Sequence, residues 1–132
     1  MKVRIISADW HLSQEILEGT VTFEIGGLTY QAFSCSYRYP IGQEIDVGFT
    51  HMSRDHTWEE RFKGNPENKK ALFPKGGWAY DGFGQITGIK PVVADFGPLS
   101  LELGWWTNDE RVIGEFIYWP ITELEIYPKK DS

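Results

Sequence analysis

The densest chemistry in this chain lies in the segment HMSRDHTWEE, which gathers His51, Asp55, His56, Glu59 and Glu60. Imidazoles and carboxylates together can ligate a metal or move protons. His51 and His56 are five residues apart, which misses the i, i+4 pitch that sets two ligands on one helix face. Glu60 follows Thr57 by three, the spacing of a capping box. The segment therefore reads as a solvated connector. Cys35 has no glycine elbow and no helix N-terminus beside it to lower its pKa. It reads as a small, semi-buried filler in a strand. Asp81, Asp95, Glu102, Asp109, Glu110 and Glu115 could serve a hydrolase, but nothing in the spacing opposes any two across a cleft. DGFGQITG has the wrong spacing for a phosphate-binding loop. No catalytic residue, metal or cofactor is assigned.

Two stretches suit binding better. In GWWTNDER, Trp105 and Trp106 are adjacent, and adjacent side chains of a strand point to opposite faces. One indole should face away from the core, beside Asn108 and Asp109, which is a hot-spot composition. Segment 61–77 carries Arg61, Lys63, Lys69, Lys70 and Lys75 against the single carboxylate of Glu67. Lys69 and Lys70 are its centre, and the segment could dock an anionic partner.

The bulk of the sequence restricts these choices. A net charge of −6 repels polyanions on average, which disfavours nucleic acid and anionic membrane as partners. The one cysteine excludes an internal disulfide framework and suggests a reducing, cytoplasmic setting. Asp9 and His11 interrupt what would be the apolar part of a signal peptide. No run reaches the roughly 20 apolar residues of a membrane helix.

The elements that must position these residues are mostly strands. Alternation is clean over 18–25, with Val21, Phe23 and Ile25 on one face, and again over 44–49 and 99–103. Further strands are expected over 2–6, 28–37, 79–89 and 92–96, with VIGEFIYW and TELEIY as the last. Gly26-Gly27 predicts a hairpin with a primed turn. The connector 50–77 lacks a period of two. Thr57/Glu60 and Asn65-Pro66 predict one or two short helices there, and Pro74 with Gly76-Gly77 predicts their stop. Residues 128–132 read as a frayed tail.

IGQEIDV (41–47) and IGEFIYW (113–119) repeat one phrase: an apolar residue, a glycine, a polar residue, then a strand. EGTVTF (18–23) and FGQITGI (83–89) share Gly-x-β-branched. A glycine at each strand entry permits φ > 0 or a sharp bend. These phrases resemble those of OB-like small barrels, where Gly19-x-Val21 and Gly84-x-Ile86 would correspond to the bent first strand. The resemblance implies a closed or half-closed antiparallel barrel with ligands on one strand face. The expected fold is all-β with minor α: one domain over 1–132, either a partly closed barrel or two packed small sheets, with 1–49 and 78–127 as related β-units.

The leading functional expectation is a non-catalytic accessory, regulatory or immunity-like protein that binds another protein through Trp105, Trp106, Asn108, Asp109, Lys69 and Lys70. A homodimer is compatible with the same residues. The alternative is a barrel that stacks a sugar or nucleotide on its aromatics. A small hydrolase is third.

Overall fold

The computed structural model describes residues 1–11 and 18–129. Within them the protein forms β1 (Lys2–Trp10), β2 (Glu18–Ile25), β3 (Leu28–Cys35), β4 (Glu44–Ser53), α1 (Trp58–Lys63), β5 (Ala71–Gly76), β6 (Ala79–Ile89), β7 (Val92–Asp95), β8 (Ser100–Gly104), the short 3-10 helix η1 (Glu110–Val112) and β9 (Phe116–Pro128). It is all-β with minor α. The strands join in one sheet of order β3-β2-β1-β4-β9-β6-β7-β8, with β5 on β6 and a further β3–β9 pairing. That pairing, Phe33 opposite Glu125, is parallel and closes a ring of five strands, β1-β2-β3-β9-β4.

The sheet path is written twice. β1 pairs with β2, β2 with β3, and β4 returns to the free side of β1. β6 pairs with β7, β7 with β8, and β9 returns to β6. The fourth strands, β4 and β9, then pair antiparallel with each other. The IG phrases enter these two fourth strands. Gly42 N–H donates to Ile5 O while Ile5 N–H donates to Gln43 O; Gly114 N–H donates to Ile86 O while Ile86 N–H donates to Glu115 O. The ladders shift register at corresponding points, between Ile5 and Ser7 and between Ile86 and Gly88. The other phrase pair does not correspond. Gly19 lies in the second strand of its unit, opposite Trp10, whereas Gly84 lies in the first strand of its unit, opposite Ile117. Gly-x-β-branched marks a local bend and carries no information about strand order.

Gly42 and Gly114 have φ of 82° and 95°, and a Cβ at either would meet nothing within 4 Å. The cost of a side chain there is backbone strain alone. Gly42→Val and Gly114→Val are each expected to destabilise by about 1–3 kcal/mol. Wild-type melting temperatures in both variants would show that the left-handed entry is dispensable.

The connector differs from expectation at both ends. β4 runs on to Ser53, and Ala71–Gly76 forms a strand on β6. Asn65-Pro66 starts no helix. Asn65 is buried, and its side-chain amide donates to Lys69 O and Ile117 O while its carbonyl accepts from Lys69 N–H. A side chain that clasps its own loop is not free to cap. Pro74 does not stop a helix; it sits in the edge strand β5, where a missing N–H is tolerated. β9 is also one strand where two were expected. Pro120 lies just before its register shift, where pairing passes from β6 to β4. Of the expected tail, Pro128 belongs to β9 and Lys129 N–H donates to Asp46 O; residues 130–132 lie outside the described residues.

Candidate functional site

The capping box read from the sequence builds the local frame. Thr57 Oγ1 accepts from Glu60 N–H at 3.0 Å, and Glu60 reaches back to Thr57 N–H. Arg54 bonds the other Glu60 oxygen at 3.1 Å and holds its carboxyl below the usual range. The six-residue helix thus fixed carries Trp58, Arg61 and Phe62. Gly64 ends it against the Tyr118 side chain, which leaves no room for a Cβ, so α1 lies close on β9.

Arg61 lies at the centre of an aromatic cluster. Its guanidinium carbon is 4.1 Å from the ring centre of Trp106, 4.8 Å from that of Trp119 and 5.6 Å from that of Trp58. The Trp58 and Trp106 rings meet edge to face at 5.3 Å, and Phe62 packs on both. Arg61 Nε donates to His56 Nε2 at 3.0 Å. His56 Nδ1 faces Arg54 O at 3.0 Å, which places the imidazole proton on Nδ1 and leaves Nε2 as acceptor. Arg61 is half-buried, and desolvation lowers its pKa. Among the described residues it meets no carboxylate, and its terminal nitrogens meet no acceptor. Stacking on indole faces compensates part of the lost hydration. Trp106 Nε1 is buried and has no acceptor among the described residues.

The expected site residues separate. Gly104, at φ 96°, ends β8 and starts the tryptophan loop. Trp105 then stands 73% exposed, while Trp106 packs against the core. Asn108 is exposed. Asp109 caps η1 and grips Arg111 through both carboxylate oxygens; Arg111 lowers it to about 2. The lysines of 61–77 each lie beside an acid: Lys63 by Glu59, Lys69 by Glu67, Lys70 by Asp95 and Lys75 by Asp81. The basic excess of the sequence is thereby largely neutralised in place, and Arg61 alone of these cations lacks a carboxylate among the described residues. Cys35 is exposed rather than a semi-buried filler, because alternation along β3 sends Tyr30, Ala32 and Ser34 inward. Neither Arg61 as a single site nor Trp58 stands out in the sequence; the 55% exposure of Trp58 is one that so short a helix cannot hide.

His51 sits behind the cluster. It accepts from Trp119 Nε1 at 2.9 Å, and burial lowers its pKa from the usual 6.5. A base whose folded pKa is depressed stabilises the fold above its unfolded pKa. That stability is lost as pH falls below about 6.5, where the unfolded state takes up a proton that the fold resists. Melting temperatures are expected to fall between pH 7 and 5, and less steeply in His51→Gln. Parallel pH profiles for the two proteins would contradict this.

Two other places hold polar groups. Glu123 and Glu125 are neighbours on β9, and burial, with a hydrogen bond to Glu125, raises the Glu123 carboxyl. A groove of about 690 Å³ lies where β8 passes β4 without forming a ladder; Gly48, Phe49, Tyr127, Asp95, Leu101 and Glu102 are among its lining residues. Tyr127 covers Gly48 so closely that a Cβ there would strike its ring. Among the described residues no three His, Cys, Asp or Glu side chains converge to hold a metal, and no helix is long and apolar enough to cross a membrane. No protein-family model, curated protein or solved structure matches this sequence.

Proposed function

We propose that this protein is a non-catalytic recognition module, accessory, regulatory or immunity-like in role, that binds another protein through the face made by Trp58, Arg61, Trp105 and Trp106. The carrying observation is Arg61: a half-buried cation stacked among indoles, without a carboxylate among the described residues, beside Trp58, which is more than half exposed. Tryptophan and arginine dominate the energetics of protein interfaces. The single Cys35 and the acidic balance accord with a cytoplasmic protein. Comparing what wild type, Trp105→Ala and Phe73→Ala, an exposed aromatic of β5 outside the proposed face, retain from a native lysate tests the reading. A protein kept by wild type and Phe73→Ala but lost by Trp105→Ala supports it. Identical retention by all three removes it. Concentration-dependent sedimentation lost in Trp105→Ala would identify the partner as a second copy of this protein.

The groove favours the second reading, a small-ligand site. Its volume falls in the range of such sites, about 300–1,000 Å³. Tyr127 offers a ring face, and Asp95 and Glu102 suit sugar hydroxyls better than a nucleotide phosphate. Protection against thermal unfolding by a sugar, lost in Tyr127→Ala, would support it.

A further inference from the structure

We propose that Arg61 receives a carboxylate of the partner, so that the recognised segment is acidic and flanked by apolar residues. This inference rests on the recognition reading above and adds the chemistry of the contact. The guanidinium has lost part of its hydration, and burial already disfavours its charge. Stacking on Trp106 and Trp119 compensates only through the ring faces. Nε is engaged by His56, which leaves the terminal nitrogens for an acceptor from outside. Carboxylate matches the planar fork of guanidinium, and such charge-assisted bonds are strong where water is partly excluded. Trp106 Nε1–H, buried in the same cluster without an acceptor among the described residues, serves as a reporter of changes at Arg61.

The surroundings decide between carboxylate and phosphate. The nearby lysines already have acids beside them, and Glu59 and Glu60 share the helix with Arg61, so little positive charge remains to hold a dianion. The exposed Trp58 beside the guanidinium supplies apolar area, which a bare inorganic anion cannot use. A monovalent carboxylate between apolar side chains uses both the guanidinium and the indole. The carboxylate is that of an aspartate or glutamate side chain within such a segment; a free C-terminus is the alternative that the second probe below detects.

The test follows the Trp106 indole and Arg61 Nε signals of the full-length protein by NMR. Four probes are titrated: acetyl-leucyl-aspartyl-leucine amide, acetyl-leucyl-asparaginyl-leucine with a free C-terminus, the same asparagine peptide as its amide, and inorganic phosphate. Saturable shifts with the aspartyl peptide and none with the neutral amide are expected; a response to the free C-terminus alone overturns the internal acidic segment. Arg61→Gln should weaken that binding tenfold or more, and Arg61→Lys, which keeps the charge and loses the fork, should weaken it less. If Arg61→Gln fails to fold, Arg61→Lys carries the comparison. The proposal is overturned if the aspartyl peptide shifts these signals no more than the neutral one. Tighter phosphate binding, or unchanged carboxylate binding in a folded Arg61 variant, also overturns it. A lysate partner lost by Trp105→Ala but kept by Arg61→Gln would leave the recognition reading standing and remove this one.

Discussion

Phe96→Ala should cost about 3–5 kcal/mol, among the largest losses that a single truncation in this protein can produce. Phe96 is fully buried. Its ring lies against Gly82 and Gly84 of β6, where an added Cβ would come within 2.9 Å of it on either residue. Alternation along β6 sends positions 80, 82, 84 and 86 inward, and the two glycines make the flat bed that a phenyl ring needs. Removing the ring leaves a cavity that a twisted sheet cannot close, because the strands are held by ladders on both sides. The converse changes, Gly82→Ala and Gly84→Ala, should each cost about 1–3 kcal/mol through overpacking, since main-chain oxygens of Trp119 and Asp95 also crowd these positions. Denaturant midpoints with an unchanged slope would measure all three. A loss under about 1 kcal/mol for Phe96→Ala would mean that the ring is not a keystone of this half of the core.

Trp106→Ala should lose about 2–4 kcal/mol of stability, whereas Trp105→Ala should stay within about 0.5 kcal/mol of wild type. Trp106 bridges α1 to the core and carries the Arg61 guanidinium on its face. Without it Arg61 is left half-buried with less to stack on. Trp105 meets mostly solvent, and its truncation should act on binding, weakening the partner complex by about tenfold or more. Thermal unfolding and affinity measured side by side separate the two effects. Equal destabilisation by both changes would place both indoles in the core and remove the binding face.

Much of this architecture was legible because strands bury every second residue. The alternation of Val21, Phe23 and Ile25 gave the bounds of β2, and 79–89 gave those of β6. The glycine phrases gave the entries to β4 and β9, because a left-handed φ admits few other residues. β5 was not legible. It has one buried position, Leu72, and a proline, so it shows no period. Its strand state comes from pairing with β6. β9 read as two strands because Pro120 usually ends one, and only the change of partner from β6 to β4 explains its place. Strand alternation was the ground for expecting Trp105 and Trp106 to face apart, but both lie in the loop after β8, so it is the path of that loop, not a strand's period, that leaves one exposed and packs the other. The centrality of Arg61 was not legible, since the rings around it come from α1, the loop after β8 and β9. Nor could the sequence show that Lys70 would find Asp95 across 25 residues.

The late position of β9 bears on how the protein is made. This last strand pairs with β4, β6 and β3, so both units acquire their final partner only when residues 116–128 arrive. During synthesis the first four strands wait with the β9-facing side of β4 and the ring unclosed. Such edges are templates for pairing with other polypeptides, and non-local closure is slow. A ribosome that stalls before residue 116 would therefore release a sheet with open edges, a natural client for chaperones. Completion of the final thirteen residues of the sheet would convert it to the closed form.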